Sequence, residues 1–175
     1  NGKRYGQADQ ALANDFVLKI GRLKDGTAVA KLPGISIDNS IYNLLSANLV
    51  QHNSGGGIKM VRTGIFNIIA ANTIINNNEG ASDVFQFFGI ELGAAAADVP
   101  SSDLDFIASS ANIIMDNNIV GTHAAGIFIG NGGVENNIFD NIIKEALSFA
   151  ILSEKTQKNN IVNNITNVKS LNCEK

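Results

Sequence analysis

The stretch GIFNIIAANTIINNNEG (Gly64–Gly80) sets branched aliphatics beside amides, carries a single charged residue, and traces no helical stripe. Its central pattern is an Asn, a run of aliphatics, and a second Asn five residues on. The pattern returns in five blocks: NLLSANLV (Asn43–Val50), NIIAANTI (Asn67–Ile74), NIIMDNNI (Asn112–Ile119), NNIFDNII (Asn136–Ile143) and NNIVNNIT (Asn159–Thr166). Their starts lie 24, 45, 24 and 23 residues apart. Self-similarity at about 20–50 residues signals a solenoid, propeller or array. The 45-residue gap is close to two periods, or to one period carrying inserted loops.

Aligned on one another, the blocks form columns. The third position is Leu45, Ile69, Ile114, Ile138 and Ile161. The eighth is Val50, Ile74, Ile119, Ile143 and then Thr166, and the sixth is always Asn: Asn48, Asn72, Asn117, Asn141 and Asn164. An Asn after so few residues stops a helix, because its side chain competes for nearby backbone groups. Asn also tolerates left-handed backbone, which places these residues at sharp corners between short strands. Stacked coils put aliphatics inside the tube and align the corner amides into ladders.

On these columns the chain resembles the right-handed parallel β-helix superfamily, over roughly Pro33 to Val168. That group includes pectate-lyase-like enzymes, alginate epimerases and phage tailspikes. The resemblance implies an all-β, right-handed parallel β-helix solenoid of about six to seven coils over residues 33–175. Residues 1–32 then form an N-terminal cap and first strands. In Gln7–Lys19, Ala8, Leu12 and Phe16 share one helical face, which suits a short capping helix. A leucine-rich repeat is excluded by the absence of its Leu-x-x-Leu-x-Leu frame, and an ice-binding solenoid by the absence of Thr-x-Thr arrays.

Composition excludes other classes. The net charge is −3, and Lys and Arg form no stripe, so no nucleic-acid surface is expected. No apolar run approaches the roughly 18 residues of a membrane helix. One cysteine, Cys173, precludes an intrachain disulfide framework.

A second signature, Gly-Ile-x-aliphatic, precedes the blocks as GISI (Gly34–Ile37), GIKM (Gly57–Met60), GIEL (Gly89–Leu92) and GIFI (Gly126–Ile129), with FAIL (Phe149–Leu152) a degraded copy. From a block's first Asn to the next Gly is 14 residues for Asn43–Gly57 and Asn112–Gly126, but 22 for Asn67–Gly89. From Gly89 to Asn112 is again too long, at 23 residues. One coil therefore carries two insertions, at about 76–88 and 93–110, on either side of GIEL. Loops on a rigid scaffold are where function concentrates.

Strand alternation points the third residue of each GIxh outward, giving the column Ser36, Lys59, Glu91, Phe128. The insertions add Glu79, Asp83, Phe85, Phe87, Phe88, Asp98, Asp103 and Asp105. Carboxylates, an ammonium and aromatics are the mixture that sugar sites use. An ordinary surface ion pair between Lys59 and Glu91 is the competing reading, and local packing is favoured over sugar stacking for the loop phenylalanines.

The resemblance implies an extracellular or cell-surface protein acting on a polysaccharide. A lyase or epimerase on an acidic polysaccharide needs a base for the proton α to a uronate carboxyl group and a cation to neutralise that group. Lys59 and Arg62 suit the cation, with Glu91 beside them. A glycoside hydrolase needs two carboxylates astride the bond, such as Glu91 with Asp83 or Asp105. Ser36, Phe85, Asp103 and Phe128 are the substrate-binding candidates. No cofactor is expected, and Ca²⁺ in the acidic insertions has no motif behind it. His52 and His123, each without ligand-spaced partners, read as solvated or turn-bonding corner residues rather than metal ligands. The alternative is a non-catalytic binding or structural module, such as a phage spike, an adhesin or part of a larger enzyme. Unpaired strand edges at the tube ends call for a homo-oligomer or a further domain.

Overall fold

The computed structural model describes residues 33–78, 87–93, 109–121, 123–130, 133–156, 158–168 and 171–174. The expected capping helix at Gln7–Lys19 and most of both insertions lie outside these residues. Within them the chain is all strand, turn and bend, wound into a right-handed parallel β-helix. Three sheets run along the tube. The long sheet stacks β1 (Ile35–Ile41), β4 (Ile58–Ile65), β7 (Ile90–Leu92), β10 (Ala125–Ile129), β13 (Phe149–Thr156) and β16 (Leu171–Glu174). The second stacks β2 (Leu44–Ser46), β5 (Ile68–Ala70), β8 (Ile113–Met115), β11 (Asn137–Phe139) and β14 (Asn160–Val162). The third stacks β3 (Leu49–Gln51), β6 (Thr73–Ile75), β9 (Asn118–Val120), β12 (Ile142–Lys144) and β15 (Ile165–Thr166). Each coil visits the three sheets in turn, and every described strand pairing is parallel.

The aliphatic columns fill the tube. Ile69, Ile114 and Ile138 stack on one inner wall, Ile74, Ile119 and Ile143 on another, and Ile58, Met60, Ile90, Leu92, Ile127 and Ile129 on the long sheet; all are buried. Burying each such side chain stabilises the fold by about 1.5–3 kcal/mol. Leu45 and Ile161, in the first and fifth coils, are partly buried against this core, and Thr166 is exposed. The glycine of GIxh has a packing reason. A Cβ on Gly57 would lie 2.5 Å from the Gly89 carbonyl oxygen of the next coil, and one on Gly89 would lie 2.5 Å from that of Gly126. Only glycine lets these coils close up.

The corner asparagines form ladders, and in the interior coils each amide is fully used. Asn72 Nδ2 donates to Asn117 Oδ1 at 3.0 Å and to the Leu45 carbonyl at 3.0 Å. Asn72 Oδ1 accepts from the Asn48 backbone N–H at 3.0 Å and from Asn48 Nδ2 at 2.9 Å. That is the whole bonding capacity of a carboxamide. The pattern continues through Asn117, Asn141 and Asn164, and a parallel ladder joins Asn43, Asn67, Asn112, Asn136 and Asn159.

One detail differs from the sequence reading. The left-handed residue is not the ladder Asn but the residue before it: Tyr42 (φ 58°), Ala47 (55°), Phe66 (57°), Ala71 (54°), Asp116 (54°) and their equivalents. The ladder Asn must turn both its N–H and its side chain into the stack. The residue before it makes the turn, at a cost of about 1–2 kcal/mol for a side chain with a Cβ.

Candidate functional site

The outward column of the long sheet is in the register that alternation predicts. Ser36 pairs with Lys59, Lys59 with Glu91, Glu91 with Phe128 and Phe128 with Leu152. β7, which carries Glu91, is the short strand between the two insertions. The chain reaches it through Phe87 and Phe88 and leaves it at Gly93, whose φ of +82° suits glycine. It rejoins the stack at Ser110, whose N–H donates to the Gly64 carbonyl at 2.9 Å.

Lys59 Nζ lies 2.8 Å from Glu91 Oε1. The two ends of the pair are unequally placed, since the Lys59 side chain is 32% exposed and that of Glu91 8%. The ammonium has three N–H donors, and Glu91 is its one ionic partner among the described residues. The cation is therefore the accessible member, and the carboxylate beneath holds it in place.

Beyond Glu91 the column turns apolar. Phe128 is 1% exposed, and Phe88 covers it with ring centroids 4.3 Å apart and planes 11° apart. Ala124, Ala125, Phe149 and Leu152 complete this cluster. Phe88 thus packs locally, in the way favoured for the loop phenylalanines. Phe128, a substrate-binding candidate in the sequence, presents no exposed face, since its ring lies under Phe88. Alternation along the strand points Phe128 outward correctly, but the neighbour that covers it arrives from an insertion.

Of the other candidates, Ser36 is exposed on the first described strand of the column. Arg62 lies in β4, and its side chain is outside the described set, as are Asp83, Phe85, Asp103 and Asp105 altogether. Among the described residues no group of three or more His, Cys, Asp or Glu side chains could hold a metal ion.

The structure also contains a third ladder that the block alignment passes over. Asn53 Nδ2 donates to Asn77 Oδ1 at 2.7 Å, and in the next coil the Asn77 N–H donates to His123 Nε2 at 3.3 Å. Asn53 and Asn77 each follow the sixth-position Asn by five residues, which is the signal that could have revealed this column. His123 is fully buried, and its pKa is lowered from 6.5 to about 4 by loss of hydration. His52, by contrast, is a half-buried corner residue with φ 54°.

Compared with models of protein families, with curated proteins and with solved structures, the chain gives no match.

Proposed function

We propose that this chain is a β-helix of the pectate-lyase-like kind that engages an extracellular acidic polysaccharide along the outward face of the long sheet, beside the two insertions. The observation that carries the reading is the Lys59–Glu91 pair, in which Glu91 lies on the coil where the repeat is interrupted and Lys59 on the coil before it. A cation held from below, with donors to spare, suits the carboxylate of a uronate residue. An extended polymer lying along the axis would meet the column at intervals set by the coil spacing of about 4.8 Å. Lyase or epimerase chemistry would then draw its carboxylate-neutralising charge from Lys59 and Arg62. Its base would come from Glu91 or from the acidic insertions.

A second reading, a non-catalytic binding or structural module, also has support. Glu91 is nearly covered, and the second sheet has an uncharged outer face. None of its outward positions, from Leu44 and Ser46 through Asn160 and Val162, is charged. A screen of uronate-containing and neutral polysaccharides separates the two. It would follow the ultraviolet absorbance of unsaturated uronate products, reducing ends and simple retention. Turnover of a uronate polymer supports the enzyme. Retention without turnover supports the binding module. Neither on any acidic polymer removes the enzyme and the binding module and leaves a structural one.

A further inference from the structure

We propose that His123 is an acid-sensitive latch in the third corner ladder, holding the second coil to the third where the first insertion leaves the tube. The argument starts from hydrogen-bond inventory. The Asn77 backbone N–H donates to His123 Nε2 at 3.3 Å, and Asn77 Nδ2 stands 3.3 Å from the same nitrogen. A ring nitrogen that accepts an N–H carries no proton of its own, so the neutral ring holds its proton on Nδ1. Nδ1 is buried and has no hydrogen-bond partner among the described residues. His123 therefore fills the acceptor place that an Asn Oδ1 fills elsewhere, but its own ring N–H, unlike an Asn Nδ2, carries no bond onward among the described residues.

Protonation reverses that role. An imidazolium has N–H on both nitrogens and accepts nothing. A proton on Nε2 would face the Asn77 N–H donor to donor, and the ladder would part at this rung. The first two ladders have no group that can do this, because carboxamides do not titrate in the same range. Among the described residues the polar group bonded to the ring is the neutral Asn77 amide, while the His123 main chain bonds the backbone of Gly121 and Leu147. Lys144 and Glu145, on the coil stacked next, are exposed on the outside of the tube. Asn77 and Asn78 lead straight into the first insertion, and Phe87, at its return, accepts the N–H of Ala124 at 2.7 Å. The latch thus ties both roots of that insertion to one residue pair, His123–Ala124.

The direction of the pH effect follows from burial. The ring takes its proton near pH 4 when folded and near 6.5 when unfolded, so the unfolded chain binds the proton first as pH falls. The stabilisation is complete above pH 6.5 and is lost progressively toward pH 4. From those two values the folding equilibrium constant drops about a hundredfold by pH 4 on account of this residue.

The test compares urea unfolding of wild type and His123→Asn between pH 7 and pH 4. Asn restores an amide at the rung and removes the titration. Wild type is expected to lose about a hundredfold more in its folding constant over this range than the variant does. Parallel pH profiles would overturn the proposal. Should His123→Asn fail to fold, nitrogen NMR of the wild-type imidazoles decides instead, with His52→Asn assigning the two signals. An Nδ1–H tautomer that titrates below pH 5 supports the latch. An Nε2–H tautomer, or titration near 6.5, refutes it.

Discussion

Two columns of the tube are built on the same parallel register and have opposite contents. The second corner column is Asn at every coil: Asn48, Asn72, Asn117, Asn141, Asn164. The outward column of the long sheet changes at every coil: Ser36, Lys59, Glu91, Phe128, Leu152. In the first, each interior amide accepts from the amide of one neighbouring coil and donates to that of the other, so geometry dictates the residue. In the second, side chains face outward and nothing in the winding dictates them. What stands there is free to answer to a ligand, or to the insertions that reach across it. Repetition marks what holds the fold together, and departures from it mark where something else is required.

The comparison breaks first at Asn117. Asn117→Ala leaves the buried Asn72 N–H and Nδ2 without their acceptor and takes a donor from the Ile69 carbonyl. Chemical denaturation should show a loss of about 3 kcal/mol. A loss below about 0.5 kcal/mol would mean that the ladder does not hold the coils.

In the variable column the same measurement should give less. Glu91→Gln keeps the size and one acceptor oxygen, and Lys59 is exposed enough to rehydrate, so a loss of about 1 kcal/mol is expected. A much larger loss would make the pair structural and weaken its assignment to a site. Asn164→Ala, at the partly exposed end of the ladder, should also cost about 1 kcal/mol, because water can replace the acceptor lost to Asn141. An effect equal to that of Asn117→Ala would show that burial does not grade the column.

The smallest change should have the opposite sign. Ala71 is exposed and left-handed, and Ala71→Gly relieves the Cβ strain while adding unfolded-state freedom. A net gain of about 0.5 kcal/mol is expected in the same assay.

The long-sheet register was legible because a two-residue alternation and a Gly anchor leave one choice of face. The ladders were legible because Asn48 and its equivalents recur at one spacing. The left-handed residues were not, since Tyr42, Ala71 and Asp116 share no chemistry: their side chains point to solvent, and the strain leaves no mark on residue type. The third ladder was hidden because His123 replaces the amide and falls 46 residues after Asn77, where the other columns step by 45. The cover over Phe128 was beyond reach for a different reason. It depends on where an insertion returns, which no period encodes. Within the candidate site, the Lys59–Glu91 pairing could be read in advance, but not which of the two stays accessible.

The account stands or falls on whether the break in the repeat is where a ligand binds. The direct measurement is calorimetric titration of a uronate polymer into wild type, Lys59→Gln and Glu154→Gln at low ionic strength. Glu154, on β13, lies three strands from Lys59 and two residues along from the column, and serves as the control. The expected result is measurable binding to wild type, at least about tenfold weaker binding to Lys59→Gln, equivalent to roughly 1.4 kcal/mol, and unchanged binding to Glu154→Gln. Equal affinity for wild type and Lys59→Gln, with a loss from a change elsewhere on the tube, would contradict it.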